Sequence, residues 1–192
     1  MHILGAIEKR RAYRALSEAP IETETLERIV KAATLAPSCM NSQPWRIVIV
    51  TAPDRLAALK TALTPGNYWA KKAPAIAAFV TDLSWDARLE GGRDYALFDL
   101  GQAAMAFQLQ AVEEGLIVHP IAGFDQAAAK RALDIPEGLI LETLIILGHP
   151  GDPGALSEKH QAAERSSRDR KPLSAVSAGD AWSEALIPPA KG

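Results

Sequence analysis

The apolar and polar positions along the chain sort into short periodic segments punctuated by proline and glycine. Ile3, Leu4, Ile7 and Tyr13 trace one face of a helix whose other side carries Glu8, Lys9, Arg10 and Arg11, which predicts a first helix ending near Arg14 or Ala15. Leu26, Ile29, Val30 and Ala33 recur at three- and four-residue spacing, so a second helix is expected from Thr23 to Leu35, with Thr23 as its N-cap. The run from Arg46 to Thr51 is apolar enough to read as a central strand. Pro53 and Asp54 suit the first turn of a third helix, which carries Leu56, Leu59, Ala62 and Leu63 and stops at Pro65-Gly66-Asn67. Ala75 to Thr81 reads as a second buried strand and Asp82 to Gly92 as a polar loop with, at most, a helical turn. The segment from Tyr95 to Gly115 is apolar over so much of its circumference that it must be covered on several sides, by the domain core or by a second subunit. A strand-like start at Leu116, a turn at Pro120 to Gly123, a helix from Gln126 to Leu133 capped by Asp125, and an apolar strand from Ile140 to Leu147 follow. After Pro150 the apolar anchors thin out. Ala155 to Lys171 is polar and reads either as a tail or as an arm that orders against a partner subunit, and Pro188 to Gly192 is expected to fray. The order of elements is that of an α/β or α+β domain, and strands separated by helices favour crossover connections.

Length and composition narrow the class. A chain of 192 residues with 48% hydrophobic residues can bury its own core, and one domain is the default. A formal charge of −2 leaves no global excess to draw the chain onto nucleic acid or anionic lipid. No apolar run reaches the length of a membrane span. The single cysteine, Cys39, cannot close an internal disulfide, and the N-terminal charges follow the short apolar stretch rather than precede it, so a cytoplasmic setting is expected.

The candidate chemistry is reached partly by exclusion. No GxGxxG follows a strand and no GxxxxGK[ST] occurs. His2, His119, His149 and His160 are not spaced for a zinc site, and Ser38 lacks the GxSxG elbow. What remains is a basic cluster at Lys9, Arg10, Arg11 and Arg14, a second at Arg165, Arg168, Arg170 and Lys171, a Ser/Asn/Gln loop held between Pro37 and Pro44, and the turn from Pro120 to Gly123. Guanidinium forks match phosphate oxygens. Together these features suit a flat, polar-edged, phosphate-bearing molecule that the chemistry alone does not name.

These same segments resemble the nitroreductase family of FMN-dependent enzymes. The resemblance rests on Arg10-Arg11-Ala12-Tyr13-Arg14, on Ala36-Pro37-Ser38-Cys39-Met40-Asn41-Ser42-Gln43-Pro44-Trp45, and on Asp99-Leu100-Gly101-Gln102-Ala103-Ala104. It continues through Gly115-Leu116, Pro120-Ile121-Ala122-Gly123-Phe124-Asp125, Leu147-Gly148-His149-Pro150 and Arg168-x-Arg170, covering about residues 3 to 175. It implies an α+β fold with a mostly antiparallel central sheet wrapped by helices, residues 1–192 forming one domain whose C-terminal arm, 151–192, embraces the partner of a homodimer with FMN at the interface. By the same resemblance, Arg10, Arg11, Ala12 and Arg14 hold the cofactor from the N-terminal side, and Arg168 and Arg170 grip its phosphate. Pro37, Ser38, Cys39 and Asn41 approach from the partner subunit, while Pro120, Ile121, Ala122 and Gly123 line the other side.

Ala12 stands where the family usually has serine and Ala122 where many members have glutamate, so a polar contact and a carboxylate are missing. The family's mid-chain asparagine has no clear match; Asn67 is the candidate. The implied reaction passes hydride from NADPH or NADH through flavin N5 to a nitroaromatic, quinone or similar small acceptor by ping-pong kinetics, without a metal and without a catalytic side chain. Specialised flavin chemistry (dehalogenation, ring oxidation, flavin fragmentation) and non-enzymatic flavin storage are the alternatives. Tyr68, Trp69 and Phe124 are read equally as aromatic walls of the site or as core.

Overall fold

Seven residues, Ala75–Thr81, are buried on both faces and form the middle of the molecule. The computed structural model describes residues 2–188 of the chain. Its main sheet contains β1 (Arg46–Val50), β2 (Ala75–Thr81), β5 (Ile117–Ile121) and β6 (Ile140–Gly148) in the order β1-β2-β6-β5. Every pairing in it is antiparallel. The crossover connections suggested by alternating helices and strands are therefore absent from this sheet, and the antiparallel sheet implied by the family resemblance is the one observed. A two-stranded hairpin, β3 (Arg88–Leu89) with β4 (Arg93–Asp94), begins in the stretch expected to be loop and ends just beyond it, after a single 3-10 turn at Leu83–Trp85.

Strand alternation divides the core in two. Ile76, Ala78 and Val80 of β2 and Leu144 and Ile146 of β6 point to one side, against α3 (Pro53–Lys60), α5 (Gln126–Ala132) and the buried Trp69. Ala75, Ala77, Phe79, Ile145 and Leu147 point to the other, against α2 (Thr23–Thr34) and α4 (Tyr95–Glu113). The small alanines of β2 let helices approach closely, and the aromatic rings of Phe79 and Phe107 meet edge to face at 5.2 Å. Gly115, at φ 77°, ends α4 as its position suggested. Asp125 caps α5 by accepting the Ala128 N–H. The cap of α2 falls at Glu22 rather than Thr23, and no side-chain hydrogen bond closes it.

Three sequence expectations change. β1 is an edge strand, not a central one, because only β2 pairs with it among the described residues. Its apolar character instead faces two clefts, one of about 550 Å³ beside α2 and one of about 250 Å³ beside Leu133 and Asp134. The first helix, α1, spans only Gly5–Lys9. From Arg10 the backbone is extended, because Tyr13, Arg14, Ala15 and Ser17 make long-range hydrogen bonds that a continued helix would forfeit. Finally, α3 stops at Lys60, because Ala62 and Leu63, expected within it, bond instead to Asp125 and bridge to Phe124. The α4 helix is covered on the sheet side, and Leu97, Phe98 and Met105 are exposed in the single chain. A further helix, α6 (Glu158–Arg165), forms within the polar stretch after Pro150 and is capped by Ser157. Of the segment expected to fray, residues 189–192 lie outside those described. Among the described residues no helix is long and apolar enough to cross a membrane.

Phe107 is fully buried at the sheet–α4 contact. Phe107→Ala is expected to destabilise the fold by about 3–5 kcal/mol, read from the shift in a urea unfolding curve.

Candidate functional site

The two ends of the chain meet over the extended N-terminal segment. Leu16 bridges to Pro150, Ser17 N–H donates to the His149 carbonyl at 2.9 Å, and Gly151 N–H donates to the Ala15 carbonyl at 2.7 Å. The α6 helix closes the other side: Arg14 N–H donates to Glu164 Oε1 at 2.9 Å, and Arg11 Nη2 donates to the Ser166 carbonyl at 2.6 Å. Beyond α6, Arg168 Nη1 reaches back to the carbonyls of Ile7 at 2.7 Å and Arg10 at 3.2 Å.

This folding-back creates a cavity of about 210 Å³ lined by Arg10, Arg11, Ala12 and Tyr13 from one end of the chain and Ser167, Arg168, Asp169 and Arg170 from the other. Four guanidinium groups share it with one carboxylate, and Asp169 already accepts a hydrogen bond from Ser167 Oγ at 2.6 Å. None of the four arginines is in an ion pair among the described residues. Burial, and then the facing charges of Arg168 and Arg170, push Arg10 below its ordinary range. A half-buried cation pushed this way is set among like charges. The donor set is that of a phosphate site, with forked cations converging on one small volume. Arg14 does not line the cavity; its guanidinium lies 6.0 Å from the Trp69 ring.

The turn from Pro120 to Gly123 is carried by the end of β5 and tied to the arginine segment through one side chain. His119 is buried, packs 4.6 Å from Trp69 and lies 3.1 Å, through Nδ1, from the Tyr13 carbonyl. A carbonyl can only accept, so Nδ1 carries a proton and donates it. Burial is the main cause that holds His119 down at about 4. The Tyr13 carbonyl pulls it up, and the charges of Arg14 and Arg10 push it further down.

Within the turn Ile121 is buried and Ala122 exposed. The Gly123 carbonyl accepts three donors: Thr64 N–H at 3.1 Å, Thr64 Oγ1 at 2.9 Å and Asn67 Nδ2 at 2.8 Å. A Cβ on Gly123 would sit 2.7 Å from both the Thr64 hydroxyl and the Asn67 amide, so the close approach demands glycine. Among the described residues no acceptor takes the Gly123 N–H.

The loop Ser38–Gln43 is not brought to this cavity within one chain. Pro37 lies beside Gln102 and Met105 of α4. Cys39 and Ser42 bond to Asp99 and Asp86, and Gln43 N–H donates to Ser38 Oγ at 3.0 Å. Met40, Asn41 and Gln43 adopt left-handed backbone at φ 51°, 58° and 49°. Such conformations in residues other than glycine cost on the order of 1–3 kcal/mol each and persist only where surrounding bonds impose them.

Trp69 proves to be core, 2% exposed. Phe124 packs against the same apolar cluster, whereas Tyr68 stacks on His160 at the surface. The residues that sequence reasoning missed are those acting on backbone from far away: His119 on Tyr13, Glu164 on Arg14, and Asp86 and Asp99 on the loop. Asp99 alone left a signal, a lone acid within the apolar stripe of α4.

Comparison with known proteins gives a consistent result. The model of the nitroreductase family matches residues 7–67 and 55–149, and the chain belongs to that family. It is 35% identical over 122 residues to an uncharacterized 15.4 kDa protein of Mycolicibacterium smegmatis, covering 64% of this chain and 79% of that protein. It is 29% identical to the NADH dehydrogenase of Thermus thermophilus, over 79% of this chain and 88% of that protein. A solved structure described as an oxidoreductase containing FMN superposes with a TM-score of 0.84 at 27% identity, covering 95% of this chain and 94% of the other.

The neutral state of His119 has a thermodynamic consequence. The native ring resists protonation down to about 4, whereas the unfolded ring takes a proton near 6.5. The stability contributed is therefore complete above pH 6.5 and is lost as pH falls towards 4, a change on the order of 3 kcal/mol. His119→Asn retains a donor for Tyr13 without titrating. The stability gap between wild type and this variant is expected to shrink by that amount between pH 7 and pH 4, measured by denaturant unfolding at each pH.

Proposed function

We propose that this protein is a flavin oxidoreductase that holds FMN with its phosphate in the arginine cavity and moves electrons from NADPH or NADH to a small acceptor such as a nitroaromatic or a quinone. The observation that carries the reading is the cavity itself: four guanidinium groups from both ends of the chain converge with a single carboxylate, Asp169, and none of the four is in an ion pair among the described residues, in a member of the nitroreductase family. The residues present fit FMN. Arg10, Arg11, Arg168 and Arg170 suit a dianionic phosphate. Arg14, held beside Trp69 and fixed by Glu164, supplies positive charge along the segment next to the cavity.

When bound, FMN supplies the two-electron chemistry, accepting hydride at N5 and passing it on. The chain's own residues bind, orient and tune. The free Gly123 N–H, on a turn locked by Thr64 and Asn67, is a fixed donor for a polar flavin edge, and cationic Arg14 favours the negative charge of a reduced ring. No side-chain acid or base is needed where water supplies protons to the acceptor. Because donor and acceptor would use one exposed face in turn, the kinetics are ping-pong.

The reading includes a homodimer. Leu97, Phe98 and Met105 of α4 are exposed apolar residues alongside Leu35 and Met40, a surface that a second subunit would cover. The segment from Leu173 to Ile187 carries exposed Leu173, Val176, Trp182 and Ile187 away from the core. The open edge of β1, flanked by two clefts, is the matching place for a partner's arm. In such a dimer the Pro37–Asn41 loop would face the cofactor held by the other subunit.

Two outcomes are expected. Arg170→Ala weakens FMN about 10- to 100-fold, the loss of one charge-assisted bond, while leaving riboflavin binding unchanged, as read by quenching of flavin fluorescence. Removing residues 173–192 shifts the protein from dimer to monomer in sedimentation while the far-ultraviolet circular dichroism of the domain is retained.

A further inference from the structure

No residue of α6 is buried, so apolar packing does not fix this helix against the domain. Leu156, two residues ahead of it, packs on the core, but the helix itself is held by discrete contacts at its two ends. Those at its far end come from the arginine segment, Arg14 N–H to Glu164 and Arg11 to the Ser166 carbonyl. Those at its start come from elsewhere, the 3-10 stretch Pro65–Lys72. There the Tyr68 hydroxyl accepts the Ser157 N–H at 2.7 Å. The His160 ring stacks on the Tyr68 ring with centroids 5.4 Å apart and planes inclined by 11°, and its Nδ1 lies 3.2 Å from the same hydroxyl.

These contacts fall on the residues that begin the helix. Ser157 is the N-cap of α6, its Oγ accepting the His160 N–H at 3.4 Å. One phenol therefore holds the cap by its backbone and the first turn by its imidazole. Hydrogen bonding to Ser157, above all, pulls the Tyr68 hydroxyl below its ordinary range; burial opposes this and the charge of Arg14 adds to it. Burial, and then the charges of Arg14 and Lys159, push His160 below its ordinary range, while Glu164 pulls it up. With a neutral ring, Nδ1 can take the phenolic proton, and Tyr68 then accepts from Ser157 while donating to His160.

Tyr68 itself stands between fixed neighbours. Trp69 is core, and Asn67 donates to the Gly123 carbonyl at 2.8 Å. Arg168 and Arg170, by contrast, follow α6 by three and five residues and are carried by it. The hydrogen bond that Arg170 makes among the described residues goes to the adjacent Asp169 carbonyl, which ties it to nothing distant. Their approach to Arg10 and Arg11 is opposed by like charge. A helix that buries no residue needs an anchor away from those cations to hold them there.

We propose that Tyr68 and His160 are positioning residues that clasp the start of α6 and so set Arg168 and Arg170 across the cavity from Arg10 and Arg11. The proposal rests on the reading of that cavity as a phosphate site. The clasp stabilises the site rather than the core, so losing it weakens anion binding and leaves the stability of the domain in place.

The test uses the full-length protein and Tyr68→Phe, which keeps the ring and removes the hydroxyl. Three ligands are titrated: inorganic phosphate by 31P NMR, and FMN and riboflavin by flavin fluorescence. Tyr68→Phe should weaken phosphate and FMN about tenfold, the loss of one hydrogen-bonded anchor, with riboflavin binding and the urea midpoint unchanged. In an Arg170→Ala background the same change should cost about threefold or less, because an arginine it positions is gone. Without ligand, amides of residues 158–168 should exchange about tenfold faster in Tyr68→Phe, and those of β2 at the wild-type rate.

Unchanged exchange in α6, an equal loss for riboflavin and FMN, or a full tenfold loss on top of Arg170→Ala would each overturn the proposal. So would a wild type that binds no phosphate. A wild type that binds FMN and is indifferent to Tyr68→Phe refutes the clasp and spares the flavin reading. One that binds phosphate but not FMN, with phosphate weakened by Tyr68→Phe, supports the clasp and refutes that reading.

Discussion

The backbone between Arg10 and Ser17 must be extended, and much of the site depends on that constraint. An extended segment cannot satisfy its own N–H and carbonyl groups, so they are bonded from outside. His119 on β5, His149 and Gly151 at the end of β6, and Glu164 on α6 supply the partners. These bonds draw three distant parts of the chain to one place. The arginines of the first segment come to face those beyond α6, and the turn after β5 is held at a fixed offset from both. A helix continued to Ala15 would have kept its hydrogen bonds local and left the two basic clusters apart.

The resulting concentration of like charge is itself informative. Folding brings Arg10, Arg11, Arg168 and Arg170 around a small cavity that holds one carboxylate, Asp169, and leaves all four outside any ion pair among the described residues. Such an arrangement works against stability in the empty protein and in favour of an anionic ligand. The sheet beneath gives the opposite impression. Its centre is alternating small and large apolar residues, fully buried and free of charge, which provides a rigid platform for the strained loop on one side and the locked turn on the other. Unpaired charge gathers at the arginine cavity and strain in the separate Ser38–Gln43 loop, and conventional packing holds each in place.

Much of the architecture was legible from local periodicity. α2, α4, β2 and β6 follow their hydrophobic repeats to within two residues, because the periods of helix and strand are local properties, whereas α3 ends at Lys60, short of the expected Leu63. The position of β1 at the sheet edge was not legible, since an apolar strand reads alike whether a neighbour strand or a cleft covers it. The end of α1 was misread for the same kind of reason: its fate is decided by donors more than a hundred residues away. The basic clusters could be named from the sequence, but their meeting could not. The polar content of the Pro37–Pro44 loop was visible too. Its left-handed backbone was not, because Met40 and Gln43 carry no local preference for that region and owe it to Asp86 and Asp99.

The central claim is that this fold carries a flavin which nicotinamide reduces. Its most direct test is the visible absorption spectrum of the purified protein, reconstituted with FMN and desalted, before and after anaerobic addition of NADPH and then NADH. The account predicts a protein-bound flavin band that bleaches with at least one of the two nicotinamides and returns when a quinone is added. A protein that emerges from desalting without flavin, or that retains a band neither nicotinamide bleaches, would contradict it.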